Sequence, residues 1–288
     1  MTRRNAFCAD VSLENAEPLT ATASRVDHWI LVEYRGPWGY EALPTSALPG
    51  AVKAHLRGQV EARRWTKLLF VRRAVRRPGP GLRVFWGSSP ETGARLFKAE
   101  LEHPEDLLAV DFAHPGEPAG QPLFLVCTHG KHDRCCARLG RQLYDALREQ
   151  AEEDWVWQCS HIGGDRFAGN LVCLPEGLYY GRVRPGDAWT VLDEYLAGRI
   201  ELEHYRGRSC YPVAVQAAER AVREETGLLG LDDLELVSTR PIRFRAGGRV
   251  LELEVFPEDS ALTYLTCSAE SLRHPRRYAA RILRESAA

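Results

Sequence analysis

Two short segments near the middle of the chain concentrate the residue types that bind metals or carry electrons. The first reads CTHGKHDRCC at residues 127–136, and the second reads CSHIGGDRFAGN at residues 159–170. In the first segment eight residues separate Cys127 from Cys136. In the second, three residues separate His161 from Asp165. Two thiolates, one imidazole and one carboxylate form a complete ligand set for zinc or an iron–sulfur cluster, so these side chains are the predicted metal site.

The elements around the two segments are expected to place both of them at one edge of a sheet. Residues 122–127 and 155–159 are predicted strands, and the amphipathic pattern of residues 139–150 predicts a helix between them. In such a unit both loops follow the carboxyl ends of strands, which is the edge where open α/β sheets hold ligands. We therefore expect Cys127 and His161 to lie side by side.

The same order of elements, a strand, a helix and three further strands, is predicted twice. The first set comprises strands at 28–34, 67–72, 82–86 and 94–100 with a helix near 48–60, and the second comprises strands at 122–127, 155–159, 170–174 and 178–183 with the helix at 139–150, closed by a helix at 188–197. This repetition predicts an α/β chain with two tandem thioredoxin-like halves. The first half has Gly-Pro-Trp-Gly at residues 36–39 in place of the cysteine loop, so we expect it to be a structural or partner-facing copy.

Three regions follow from these patterns. Residues 1–115 form the half without ligands, residues 116–206 form the half that binds the metal, and residues 207–288 form a small α+β domain. In the last region we expect a helix at 213–226, strands at 234–237, 242–245 and 249–256, and a basic terminal helix at 271–284. The arginine-rich turn at 76–81 and the other arginine runs are expected to be solvated surface.

Composition excludes several classes of partner. The chain has 288 residues, 44% of them hydrophobic, and its 38 lysine and arginine residues nearly balance 39 aspartate and glutamate residues. This balance argues against a general attraction to nucleic acid or membranes. No apolar run approaches the roughly 20 residues that cross a bilayer, and the amino terminus lacks the apolar centre of a secretory signal. We therefore expect a cytoplasmic protein.

Cysteines are expected to stay reduced in the cytoplasm, so clustered ones indicate a metal or redox role rather than structural disulfides. Four of the eight are scattered, and we expect them to be small apolar residues: Cys8, Cys173, Cys210 and Cys267. Six histidines lack a comparable context and are expected to be structural or exposed: His28, His55, His103, His114, His204 and His274.

The two segments resemble signatures of the sucrase/ferredoxin-like family, whose thioredoxin-like ferredoxins bind a [2Fe–2S] cluster through two cysteines and two histidines. The matching residues are Cys127, His129, Asp133 and Cys136 in the first signature and His161, Gly163, Gly164, Phe167, Ala168 and Asn170 in the second. The resemblance extends over residues 29–205 and includes residues 36–39. It implies a one-electron carrier in which Cys127 and Cys136 hold one iron while His161 and Asp165 hold the other.

One position departs from the family pattern, because Asp165 stands where the members with two histidines have the second one. Three explanations are open: Asp165 ligates iron, another residue (Cys135, Cys159 or His129) completes the set, or the site has lost its cluster. Family spacing alone favours Cys136 over Cys135. With Asp165 as a ligand we expect a potential between the plant-type and Rieske ranges, about −400 mV and about −150 to +300 mV. An exposed ring nitrogen on His161 would make that potential depend on pH.

Two other functions compete with electron transfer. A thiol–disulfide oxidoreductase would normally have Cys-x-x-Cys, which this sequence lacks, and vicinal Cys135 and Cys136 would close only as a strained ring. A zinc-stapled binding module would use the same ligands in a closed tetrahedral site. For a carrier we expect an acidic redox partner, attracted by a basic collar that comprises Lys131, His132, Arg134, Arg138 and Arg166.

Overall fold

The computed structural model describes residues 6–74, 81–152 and 154–287. The helices are α1 (Cys8–Glu14), α2 (Ala42–Thr45), α3 (Gly50–Ala62), α4 (Arg134–Gln150), α5 (Ala188–Leu196) and α6 (Val213–Thr226), with 3-10 helices at Pro104–Ala109 and Asp165–Phe167. The strands are β1 (His28–Glu33), β2 (Thr66–Arg72), β3 (Leu82–Ser88), β4 (Arg95–Leu101), β5 (Glu117–Pro118), β6 (Leu123–Cys127), β7 (Val156–Cys159), β8 (Leu171–Leu174), β9 (Leu178–Tyr180), β10 (Tyr205–Arg208), β11 (Leu234–Thr239), β12 (Ile242–Ala246), β13 (Arg249–Glu258) and β14 (Arg277–Ala287). Most of the predicted turn at 76–81 lies outside the described residues.

Ten of these strands form one mixed sheet in the order β10-β9-β8-β6-β7-β2-β1-β3-β4-β5. Its two halves share one internal order, because β1 pairs with β2 in parallel and β3 antiparallel, and β6 pairs likewise with β7 and β8. An antiparallel pairing of β2 with β7 joins the halves. The predicted mixed α/β class and the twice-repeated order of elements are confirmed.

Strands β1 and β6 are buried on both faces, which explains their uninterrupted apolar sequences. In β6, Leu125 and Cys127 point into a cluster that spans both halves, whereas Phe124 and Val126 pack on the face covered by α4 and α5. The central strands of both halves therefore share a core on one side of the sheet. Among the described residues, no helix is long and apolar enough to cross a membrane.

Helix α4 begins five residues before the predicted start at residue 139. Asp133 caps its first turn, because the Asp133 carboxylate accepts a hydrogen bond of 2.7 Å from the Cys135 backbone N–H. Cys135 and Cys136 are therefore helical residues. One turn further on, a Cβ atom on Gly140 would lie 1.9 Å from the Cys127 carbonyl oxygen, so glycine permits α4 to approach the end of β6.

The carboxyl-terminal region forms a separate four-stranded antiparallel sheet, β11-β12-β13-β14, packed against α6. The predicted terminal helix at 271–284 is wrong, since β14 runs along β13 instead. Alternation explains the difference: Ala280 and Ile282 face the core, while Arg281 lies between them and pairs with Glu254 at 2.6 Å. The basic residues of this segment lie on the solvent face of an edge strand.

Candidate metal centre

The first ligand group comprises Cys127, Cys136 and His161, whose ligand atoms all lie within 4.8 Å of one another. Cys127 ends β6, Cys136 lies in the first turn of α4, and His161 follows β7 by two residues. Parallel pairing of β6 with β7 places Cys127 opposite Cys159 and brings the two loops together. The expected proximity of Cys127 and His161 is confirmed.

Asp165 joins this group from the start of a 3-10 helix and is 2% exposed. Its Oδ1 atom lies 3.4 Å from the Cys136 Sγ and 2.9 Å from the His161 Nδ1. The structure therefore brings all four predicted ligands to one place. His132, which the sequence assigned to the basic collar, is also there, with its Nε2 3.7 Å from the Asp165 Oδ2 and its ring stacked on His161 at 3.7 Å.

The chemistry of this group fits a cation. The buried His161 Nδ1 lies 2.9 Å from the buried Asp165 Oδ1, and His161 shares a ligand group with Cys127 and Cys136. Burying an imidazole, a carboxylate and two sulfur atoms together is costly, and a metal ion bound to them would offset that cost. Soft sulfur ligands beside an imidazole and a carboxylate are a donor set that suits zinc or iron–sulfur centres. The residues present therefore fit a cluster or a metal ion.

Electrostatics in the group favour the thiolate form of one cysteine. Hydrogen bonding from Cys136 holds the pKa of Cys127 well below its usual value, against the effect of burial and with further support from His161. The same bond to Cys127, together with burial, raises the pKa of Cys136. Burial lowers the pKa of His161, but Asp165 and Cys127 outweigh it and raise that pKa to about 9. The site is thus arranged around negative charge on sulfur, the form that binds metals.

The three alternative fourth ligands are not members of the first ligand group. His129 uses both ring nitrogens: Nε2 contacts the Gly39 carbonyl oxygen at 2.6 Å, and Nδ1 accepts from the His161 backbone N–H at 3.2 Å. Cys159 lies opposite Cys127 in the sheet and in the same core cluster, but its sulfur is not among the ligand atoms that lie within 4.8 Å of one another. Cys135 faces away from Cys136, as neighbouring residues on a helix do, and belongs to a second group.

A buried arginine holds the second loop in place. The Arg206 guanidinium donates to the Gly163 carbonyl at 3.0 Å and to the Asn170 Oδ1 at 2.8 Å, while Asn170 donates to the Gly164 carbonyl at 2.8 Å. Gly163 and Gly164 both have positive φ, and a Cβ on Gly164 would lie 2.4 Å from the Arg206 Nη2. The two glycines therefore let the loop turn against Arg206, which places Asp165.

The first half of the sheet contributes directly to this site. Its loop at residues 36–39 supplies the Gly39 carbonyl that binds His129, and the Trp38 ring meets His129 edge-on at 5.6 Å. Tyr40 stacks on His132 at 5.0 Å. The half without ligands is thus a structural support for the histidines of the other half.

The basic collar is partly neutralised. Arg138 pairs with Asp10 at 2.5 Å, and Arg166 pairs with the buried Glu17 at 2.8 Å. Lys131 and Arg134 are exposed. With His132, which stacks on His161, three of the five collar residues therefore have partners within the fold.

A second ligand group lies on the other side of the α4 amino terminus and comprises Cys8, Asp133, Cys135 and Cys267. The three sulfur atoms lie 3.4 to 3.7 Å from one another. The expectation that Cys8 and Cys267 are isolated apolar residues is wrong, because α1 and the segment before β14 bring both to Cys135. No local pattern signals this group, since Cys8 and Cys267 are 259 residues apart in sequence. Cys173, by contrast, is a core residue, as expected.

Comparison with known proteins gives matches of three kinds. A model of the sucrase/ferredoxin-like family matches residues 19–207. Two fungal relatives, both called altered inheritance of mitochondria protein 32, are 33% identical over 108 residues in Debaryomyces hansenii and 31% over 121 residues in Meyerozyma guilliermondii. These alignments cover 34% and 38% of this chain but only 39% and 43% of the relatives' lengths. A solved structure, the thioredoxin-like [2Fe–2S] ferredoxin from Aquifex aeolicus, matches 33% of this chain and 97% of its own, with 19% identity and a TM-score of 0.28.

Proposed function

The chain belongs to the sucrase/ferredoxin-like family, and from this membership and the geometry of the first ligand group we propose that it is a one-electron carrier with a [2Fe–2S] cluster. Cys127 and Cys136 would hold one iron, and His161 and Asp165 the other. Such a cluster supplies reversible one-electron transfer. The observation that carries the proposal is the convergence of the four side chains: Cys127, Cys136 and His161 have ligand atoms within 4.8 Å of one another, and the Asp165 Oδ1 lies 3.4 Å from the Cys136 Sγ and 2.9 Å from the His161 Nδ1.

The surrounding residues are suited to an electron-transfer site. Cys127, Cys136 and Asp165 are almost completely buried, whereas the His161 side chain is 27% exposed. His161 therefore lies between the buried ligands and the solvent, on the side where a redox partner would dock. We propose that the exposed Lys131 and Arg134 attract an acidic partner to this face.

The shared strand order of the two halves supports a further proposal, that each is a thioredoxin-like unit. In this arrangement the second half provides the ligands and the first half covers the histidines. The β2–β7 pairing then makes one continuous sheet from the two units.

The proposal is tested by the absorption spectrum of the full chain purified without air. We expect visible bands that bleach when dithionite is added, together with about two iron and about two sulfide per chain. Cys127→Ser and His161→Ala should abolish the bands. Cys210→Ser is the matched control, because Cys210 is a half-buried cysteine outside both ligand groups, and it should keep them.

Asp165 is tested by a separate substitution. Asp165→His should retain the cluster and raise its potential toward the Rieske range, because a neutral ligand replaces an anionic one. Asp165→Ala should lower the iron content. A colourless wild-type protein that holds zinc at Cys127 and Cys136 would reject electron transfer and favour a structural metal site.

A further inference from the structure

The three sulfur atoms of the second ligand group form an almost equilateral triangle. The Cys135–Cys267, Cys8–Cys267 and Cys8–Cys135 Sγ distances are 3.4, 3.6 and 3.7 Å. Zinc–sulfur bonds of about 2.3 Å in a tetrahedron place neighbouring sulfur atoms about 3.8 Å apart. A disulfide would instead bring two of the sulfur atoms to about 2 Å and leave the third apart.

Asp133 is positioned to complete the tetrahedron. Its two carboxylate oxygens lie 3.8 and 3.7 Å from the Cys8 Sγ. Each oxygen already accepts one backbone N–H, from Cys135 at 2.7 Å and from Cys267 at 2.6 Å. These bonds orient the carboxylate and leave each oxygen a further lone pair for a metal ion.

Backbone groups around the cysteines also favour thiolates. The Ala9 N–H donates to the Cys135 Sγ at 3.4 Å, and the Cys8 N–H donates to the Cys267 Sγ at 3.5 Å. Cys135 additionally lies in the first turn of α4, where the helix dipole stabilises negative charge. Hydrogen bonds of this kind to the ligand atoms are typical of metal-binding sites in proteins.

We propose that Cys8, Cys135, Cys267 and Asp133 bind a structural zinc ion, separate from the [2Fe–2S] site. A single triangle of sulfur atoms serves one metal ion, whereas a [2Fe–2S] cluster needs two ligands on each of two irons. Cys8 and Cys135 are completely buried, and Asp133 brings the number of protein ligands to four. Four protein ligands leave no open position on the metal, which is typical of a structural rather than a catalytic zinc site.

A zinc ion at this site would link α1 and the segment before β14 to the first turn of α4. Cys8 in α1 and Cys267 ahead of β14 both lie outside residues 19–207, the part matched by the family. Cys135 and Cys136 are adjacent, so the zinc ion would fix the same helix turn that carries a ligand of the first group. The vicinal cysteines thus divide between two sites.

The test measures zinc and iron per chain in variants purified from zinc-supplemented medium without air. We expect about one zinc per wild-type chain, lost in Cys8→Ser and Cys267→Ser while iron is kept. Cys127→Ser should lose iron and keep zinc, and Cys210→Ser should keep both. This pattern makes failure of the zinc site distinguishable from failure of the electron-transfer proposal.

A second measurement does not depend on the folding of variants. Wild-type protein from which a chelator has removed zinc but not iron should take up about one Co²⁺ per chain with a thiolate-to-cobalt charge-transfer band, and added Zn²⁺ should remove that band. The proposal would be overturned if Cys127→Ser rather than Cys8→Ser lost zinc, or if Cys8→Ser lost iron. It would also be overturned if the wild-type protein bound neither Zn²⁺ nor Co²⁺.

Discussion

The two halves of the ten-stranded sheet share a strand order but differ at the amino ends of their helices. Helix α3 begins after Pro49, which has no capping side chain, and no cysteine lies in its first turn. Helix α4 begins after Asp133, whose carboxylate caps the helix and contacts Cys8, and its first turn contains Cys135 and Cys136. Of the two halves, only the one whose capped helix turn meets the end of a strand thus has candidate metal ligands at that place.

The difference also shows what the half without ligands contributes. Its loop at residues 36–39 contacts His129 through the Gly39 carbonyl and the Trp38 ring, and Tyr40 covers His132. The two halves thus differ in role: one half carries the candidate ligands, and the other contacts the histidine rings beside them. Substitutions at equivalent positions of the halves should then have unequal effects.

The largest difference in the effect of a substitution is expected between two helix glycines, one in each half. Gly140→Ala in α4 would force a Cβ to within 1.9 Å of the Cys127 carbonyl oxygen, whereas nothing lies within 4 Å of a Cβ on Gly58 in α3. We expect Gly140→Ala to lower the free energy of unfolding by at least about 3 kcal/mol and to abolish iron binding. Gly58→Ala should stabilise by about 0.5–1 kcal/mol.

Urea denaturation and iron analysis of both variants check this prediction. Gly58→Ala is the matched control, because it tests the general effect of alanine in a helix without a close neighbour. A Gly140→Ala protein with the stability and iron content of wild type would show that α4 can move from β6 without disturbing the site.

Local sequence patterns predicted most of this arrangement. The apolar runs of β1 and β6 and the periodicity of α4 depend on neighbouring residues, so they are visible in the sequence. The position of the first ligand group also followed, because parallel β6 and β7 end at one edge and their loops carry the ligands. The start of α4 was missed because its first turn, rich in cysteine and arginine, has no apolar period, although Asp133 is a typical cap.

Contacts between segments that are distant in the sequence could not be predicted from such local patterns. Nothing near Cys8 or Cys267 in the sequence indicates that they meet Cys135, since tertiary packing alone brings these residues together. The segment predicted as a terminal helix forms β14, because its alternation of Ala280, Arg281 and Ile282 suits a strand that pairs with the distant β13. The role of the 36–39 loop was likewise left open between structure and partner contact, since it depends on β2 pairing with β7.

The support that the first half gives to the second is tested at His129. His129→Ala would leave the Gly39 carbonyl and the His161 backbone N–H without their partner. Each unpaired buried group costs about 1–3 kcal/mol, so we expect a loss of about 2–4 kcal/mol in unfolding free energy and weaker iron retention. His114→Ala, at a histidine side chain that is 76% exposed, should change stability by less than about 0.5 kcal/mol. Equal effects of the two substitutions would mean that the halves are energetically independent at this loop.

The smallest effect is expected at Tyr40, which is 58% exposed and covers the site only through its ring. Tyr40 stacks on His132, which in turn stacks on His161, so Tyr40→Ala removes the outer ring of a three-ring stack. We expect the free energy of unfolding to fall by about 1 kcal/mol or less, and a chelator to remove iron roughly twofold faster. Tyr40→Phe keeps the ring and should match wild type in both measurements. If Phe and Ala behave alike, the ring does not cover His161, and the support from the first half is confined to the His129 contacts.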